Sequence, residues 1–205
     1  MVRILFIAAS LGCLLVRFGN AQSFELMIGT EEVFVDAQYL KFFDSQKRLS
    51  LFSRARATST YEESSTDLFT GAYLNYTTST GLGATVLGRI ASSGSGVDAG
   101  VHFFKASSRW LIYALPSINI NDKLLYSWFS IIRFTPRLSE RWKWYFSLEL
   151  YSAFNKDGHL GSVQRARAGV DLLGYQFGAA INLAQRGVEW ESATTNPGIF
   201  VRKEF

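Results

Sequence analysis

The chain has 205 residues, of which 19% are charged and 15% aromatic, too few charges and too many rings for an ordinary water-facing surface. That length allows one substantial domain, and no linker-like stretch divides it. The formal net charge of +4 falls to +2 without Arg3 and Arg17 of the N-terminal segment, so the basic pI is no argument for a nucleic-acid partner.

Residues 1–21 read as a cleaved signal peptide. Arg3 precedes an apolar run from Ile4 to Val16, and Gly19-Asn20-Ala21 supplies a small-x-small cleavage pattern. Cys13, the only cysteine, falls inside this segment. Ser10, three positions before it, is not the aliphatic residue of a lipoprotein signal. The mature chain, 22–205, then has no thiol for a disulfide or a metal. It also lacks an apolar run of the ~18 residues that a spanning helix needs. If it crosses a membrane, it does so as a closed barrel of strands.

Strand character begins at 24–43, where apolar residues are even at first (Phe24, Leu26, Ile28) and odd afterwards (Val33, Val35, Ala37, Tyr39). The flip at Thr30-Glu31-Glu32 implies a turn or a bulge. Further stretches follow at 47–60, 67–78, 81–91, 97–106, 109–118 and 123–134. The clearest is 141–152, which places Trp142, Trp144, Phe146, Leu148 and Leu150 on one face and Arg141, Lys143, Tyr145, Ser147, Glu149 and Tyr151 on the other. The last three are 162–172, 175–185 and 197–205. With the flip read as a turn, the count is twelve. Ten is the alternative, with the N-terminal part outside the wall.

Connections at 44–46, 79–80, 107–108, 135–139 and 173–174 are mostly tight. Those at 61–66, 92–96, 119–122, 155–161 and 186–196 are longer and richer in polar or small residues. Short turns on one rim and longer loops on the other fit a barrel with its short side in the periplasm.

With amphipathic strands throughout, aromatic strand ends and a last strand closing on Phe205, the chain resembles the bacterial outer-membrane β-barrel class. The resemblance implies an all-β, closed antiparallel transmembrane barrel in the outer membrane of a Gram-negative envelope. It also implies that the assembly machinery reads the last strand through Phe205, with Val201 and Ile199 at alternate positions; Lys203 departs from that pattern. No individual family is identified.

Three features turn the apolar face toward lipid rather than into a soluble core. Small residues such as Ala55, Ala57, Ala84, Ala166 and Ala168 would fill a core poorly. Tyr39, Trp110, Trp142, Trp144, Tyr175 and Phe205 sit near strand ends, where an aromatic girdle lies. Loop asymmetry and the terminal Phe are the third. The polar face then lines the lumen, with Arg54, Arg56, Arg89, Asp98, His102, Arg141, Lys143, Glu149, Arg165, Arg167 and Asp171 as candidates, joined by Glu25, Asp36, Arg202 and Glu204. Near-balance of sign favours internal pairing. The expected partners are Glu149 with Arg167 and Asp36 with Arg54.

The similar stretches Ser53-Arg-Ala-Arg-Ala-Thr58 and Gln164-Arg-Ala-Arg-Ala-Gly169 read either as basic ladders for an anionic solute or as strands pairing with internal acids. His102 shares parity with Asp98, but residues four apart on a strand are about 13 Å apart. His159 reads as a loop residue beside Asp157 and Gly158. No hydrolase, zinc or calcium motif is present, so neither catalysis nor a metal or cofactor is expected. The leading expectation is a monomeric, narrow, porin-like passive channel whose partners are membrane lipid, the assembly machinery and a small solute. A structural or adhesion barrel with a blocked lumen, acting through outer loops such as that around Trp190, is the second reading. A barrel hydrolase using His102 or His159 is the third.

Overall fold

Alternation turns every second side chain inward, and the computed structural model, which describes residues 22–62, 66–92, 94–120 and 125–205, realises it in twelve strands among those residues. They are β1 (Gln22–Gly29), β2 (Glu32–Phe42), β3 (Leu49–Thr60), β4 (Thr66–Thr77), β5 (Leu82–Ala91) and β6 (Gly94–Ala106). The second half comprises β7 (Trp110–Asn119), β8 (Leu125–Phe134), β9 (Trp142–Asn155), β10 (Gly158–Leu172), β11 (Tyr175–Arg186) and β12 (Ser192–Glu204). Each pairs antiparallel with its sequence neighbours, and β1 pairs with β12 to close the barrel, from Ser23 opposite Glu204 to Gly29 opposite Gly198. The expected signal peptide with Cys13 lies outside the described residues.

The phase flip is a turn, and a side chain from the far end of the sequence fastens it. Asn196 Oδ1 accepts from the backbone N–H of Glu31 at 3.0 Å and of Glu32 at 3.4 Å, while its Nδ2 donates to the Glu32 carbonyl at 3.2 Å. Asn196 is buried. The short β1 strand thus belongs to the wall, which gives twelve strands and not ten.

Both described chain ends lie on one rim, here the terminal rim; the opposite one is the far rim. Loop lengths do not alternate as expected. Connections on the far rim take two or five residues and those on the terminal rim two to seven. The reason is that strands run further than apolar alternation does. β10 begins at Gly158 and not at 162, because a bulge between His159 and Gly161 lets polar and small residues keep pairing with β9. β12 begins at Ser192, through a polar stretch that still satisfies its backbone on β11.

The outward face is apolar and solvent-free only if lipid covers it. Ile90, Val101 and Ile199 are about two-thirds exposed, and Leu68, Leu74, Val86 and Val201 about half. At the terminal rim, Trp110 stacks on Phe134 at 4.1 Å, Phe134 lies 6.4 Å from Phe146, and Phe146 lies 6.1 Å from Trp144. This band crosses three strands. An apolar belt edged by rings is the surface that a bilayer selects. Inside, two buried clusters narrow the lumen: Met27, Phe34, Tyr145, Ala180 and Phe200, and Tyr73, Leu87, Leu115, Phe129 and Ile131.

Candidate functional site

Arginines at alternate positions of β3 and β10 all point inward, and the two strands stand nearly opposite each other in the closed order. They meet on one carboxylate. Glu149 of β9 binds Arg54 Nη1 through Oε2 at 2.6 Å, and binds Arg56 Nη1 at 3.1 Å and Arg165 Nη1 at 2.6 Å through Oε1. β3 and β9 are six strands apart in a ring of twelve, so the Arg54–Glu149 pair spans the lumen from wall to wall. Little room is left at this waist, where the volume open to the centre of a water molecule is about 30 Å³, enough for one or two waters.

The remaining bonds divide the arginines into two kinds. Arg54 is held at several points, with Nε and Nη2 donating to the two oxygens of Asp36 at 2.6 and 3.0 Å, while its Nη1 makes the ion pair with Glu149 but has no hydrogen-bond acceptor among the described residues. Arg167 is too: Nε donates to Glu25 at 2.8 Å and Nη1 to Asn182 Oδ1 at 3.0 Å and to the Ala166 carbonyl at 2.9 Å. Arg56 and Arg165 each hold a single carboxylate oxygen. Their Nε–H groups are buried without an acceptor among the described residues. Instead their guanidinium planes lie over rings, Arg56 on Phe69 at 4.4 Å and Arg165 on Phe34 at 4.9 Å.

Both expected cross-strand registers are displaced by two residues, and of the two expected ion pairs Asp36–Arg54 forms while Glu149–Arg167 does not. Glu149 stands opposite Arg165, and Arg167 opposite Ser147, so Arg167 pairs with Glu25 and not with Glu149. Asp36 stands opposite Arg56, yet it bonds Arg54 diagonally. A two-residue shift leaves every side chain on its own face, so parity fixes inside against outside but not the partner.

The other expected lining residues lie as follows. Arg89 donates to Asp98 at 2.8 Å, and Asp98 also accepts from Asn119 at 2.7 Å. Asp171 serves a turn: it accepts from Gln176 at 2.9 Å and from the Gly174 N–H at 3.2 Å, where Leu173 and Gly174 both take positive φ. Arg141 and Lys143 do not line the waist. Arg141 falls in the 135–141 connection and Lys143 is exposed at the terminal rim, because β9 starts only at Trp142.

The expected girdle residues Tyr39, Trp110, Trp142, Trp144, Tyr175 and Phe205 all fall at the terminal rim. Lys203, the departure from the expected C-terminal pattern, lays its ammonium 3.6 Å from the centre of the Tyr175 ring and donates to the Leu173 carbonyl at 3.2 Å. A lysine that reaches the interface this way costs the apolar face little.

His102 lines the lumen, held between Thr85 Oγ1 at 2.8 Å and Thr77 Oγ1 at 2.9 Å, with Thr85 donating to Asn75 at 2.7 Å. His159 is not a loop residue. It is buried on β10, its Nδ1–H donates to the Gly187 carbonyl at 2.8 Å, and its Nε2 lies 2.8 Å from Ser162 Oγ, which donates to Ser152 Oγ at 2.7 Å. Trp190, at φ 62°, stacks on its ring at 3.5 Å. Among the described residues no group of three or more His, Cys, Asp or Glu could hold a metal.

Sequence reasoning missed Arg133. Its parity between the outward Ile132 and Phe134 would have found it. Its Nη1 donates to Glu204 at 3.0 Å, and Arg202 Nη2 binds the same oxygen at 3.1 Å. From this vestibule to the waist the lumen therefore holds six guanidiniums (Arg54, Arg56, Arg133, Arg165, Arg167, Arg202) on four carboxylates (Glu25, Asp36, Glu149, Glu204). Asp171, inward at the level of Arg202, and the Arg89–Asp98 pair toward the far rim lie outside this network. Arg202 is further fixed by Tyr145 OH at 2.8 Å, which accepts from Nη1, and by Ser23 Oγ at 2.8 Å.

No protein-family model and no curated protein sequence matches the chain. Solved structures do. The NanC porin superposes with a TM-score of 0.54 at 8% identity, covering 91% of this chain and 99% of its own. The KdgM porin gives 0.53 at 9% identity, with 90% and 99% covered, and has also been solved in complex with disordered oligogalacturonate. LpxR from Salmonella typhimurium gives 0.50 at 8% identity, with 90% and 100% covered. At such identities the likeness is one of fold. Taken with the apolar belt, it makes the chain a closed twelve-stranded outer-membrane β-barrel.

Proposed function

We propose that the protein is a narrow porin-like channel that prefers small anions, with the terminal rim in the periplasm and Glu149 as the resident counter-ion of the waist. One observation supports this reading: a single carboxylate shared by three arginines from opposing walls, each of which keeps a buried nitrogen without a hydrogen-bond acceptor among the described residues. A buried guanidinium is stable only beside negative charge, so the waist binds an anion whether the chain or a solute supplies it. A small anion entering from the vestibule takes over Arg56 and Arg165. Glu149 remains with Arg54, and the bridge across the lumen opens. The likeness to porins, one of them solved with an anionic oligosaccharide, supports this reading.

Planar-bilayer recording tests it. A small conductance with a reversal potential toward the anion is expected under a salt gradient, rising several-fold in Glu149→Gln. No current above background in either protein would establish the second reading, a sealed barrel acting through its far-rim loops, which the wall-to-wall Arg54–Glu149 bridge favours. The hydrolase reading rests on the Ser162–His159 hydrogen bond. It predicts that a fluorophosphonate labels the folded barrel and not Ser162→Ala; no labelling removes it.

A further inference from the structure

Between the waist and the terminal rim lies a cavity of about 340 Å³. Its lining is unusual for a water-filled mouth. Leu40, Phe42, Phe52, Phe104 and Leu111, all partly buried, occupy inward positions of four different strands between the waist and the rim, and buried Ile131 of the second cluster closes the floor. Rings and aliphatic side chains around an aqueous entrance need a partner that removes water from them. None of these residues is part of the outward belt, so lipid does not provide it.

The other side of the same cavity carries Arg133 and Arg202. Both bind one oxygen of Glu204, whose side chain is 41% exposed while the two arginine side chains are 16% and 4% exposed. A partly exposed carboxylate from the end of β12 thus sits on two more deeply buried guanidiniums. Arg133 keeps its Nε–H buried without an acceptor among the described residues. Arg202 is held by Tyr145, Gln176 and Ser23 and forms a fixed seat, whereas the side chain of Arg133 hydrogen-bonds, among the described residues, to Glu204 alone.

We infer that this vestibule is a binding site for a small amphipathic carboxylate, whose acid group displaces Glu204 from Arg133 and Arg202 and whose apolar body fills the ring of Leu and Phe side chains. The geometry of a planar guanidinium favours a planar two-oxygen acceptor. The cavity lies at the lower end of the usual range for small-molecule sites, which fits a single ring or a short chain and excludes a lipid with two acyl chains. His102 and Tyr113 also border the cavity, but the His102 ring nitrogens are engaged by Thr77 and Thr85, so they shape the wall without receiving the acid. The inference deepens the anion reading of the lumen. Because it concerns binding and not passage, it stands or falls separately.

The test uses the 22–205 barrel folded in lipid nanodiscs and 4-fluorophenylacetate as probe, followed by ¹⁹F line broadening. Saturable binding is expected, weakened at least tenfold in Arg133→Gln. Glu204→Gln, which removes the internal competitor, should tighten it several-fold, while Glu191→Gln at the far rim leaves it unchanged. Acetate and 4-fluorophenethyl alcohol, each lacking one half of the probe, should compete at least tenfold less well than phenylacetate. Broadening equal to that in empty nanodiscs, or equal in Arg133→Gln and the parent, overturns the site. Binding without conductance keeps the vestibule and removes the channel; conductance without binding does the reverse.

Discussion

The stretches Ser53–Thr58 and Gln164–Gly169 carry the same Arg-Ala-Arg-Ala pattern on nearly opposite walls, and in each the two arginines have opposite characters. Arg54 and Arg167 are locked by several acceptors; Arg56 and Arg165 hold one carboxylate oxygen each and lean on a ring. Local sequence cannot make this distinction, since the residue with more hydrogen-bond acceptors comes first in β3 and second in β10. What decides is where the acids arrive from other strands: Asp36 from β2, Glu25 from β1 and Glu149 from β9. One member of each pair therefore holds the wall together, and the other is the one that the proposed function assigns to a solute.

The sharpest way to break this comparison is to exchange the two kinds. Arg54→Met leaves Asp36 buried with, among the described residues, Gln38 alone as hydrogen-bond partner and should cost about 3 to 5 kcal/mol, whereas Arg56→Met should cost roughly a third of that or less and mainly reduce anion preference. Urea unfolding in detergent micelles reads the stabilities, and the reversal potential reads the preference. Equal losses for both variants would mean that the division into structural and solute-facing arginines is wrong.

Moving the charge by a single residue tests the face on which both ladders depend. Ala166 lies between Arg165 and Arg167 and points outward, so Ala166→Arg should destabilise by about 2 to 4 kcal/mol in bilayers, as a lipid-facing arginine near the midplane does. A neutral outcome would mean that this wall is not in contact with lipid.

The seam that brings Glu25 to Arg167 depends on Asn196. Asn196→Ala leaves the Glu31 N–H and Glu32 carbonyl without this partner and should cost about 1 to 3 kcal/mol. It should also accelerate amide exchange in β1 before that in β9. Uniform acceleration across all strands would show that the first hairpin is no weaker than the rest.

The smallest effect lies outside the membrane, at the turn leading into β3. Asp44 accepts from the N–H of Leu49 at 2.7 Å and of Arg48 at 3.0 Å, and these bonds hold its carboxyl below the usual carboxylate range. A depressed folded value means that this contribution is fully present above the unfolded pKa, about 4, and is lost as pH falls through the folded one. Amide exchange at Leu49, corrected for intrinsic rate, should therefore rise on acidification in the parent and be pH-independent in Asp44→Asn.

Much of this protein is legible in its residues. Trp142 to Tyr151 shows two faces without any structure, and the same alternation elsewhere marks twelve strands, the lipid side and the inward arginines, because a strand has a period of two whatever it pairs with. Alternation stops where strands continue through polar residues, which is why β10 and β12 begin earlier than expected and the loop asymmetry dissolves. It also passed over the inward Phe42, Phe52 and Phe104, which only the closed barrel shows sharing one cavity.

The sequence by itself determined that this chain must close on itself and which side chains turn inward, since both follow from backbone hydrogen bonding and the pleat. Only the tertiary structure decided which acid meets which arginine. Register can slip by two residues without changing a face, and Glu149 reaches Arg54 across the full width of a lumen whose diameter is set by strand number, tilt and stagger together.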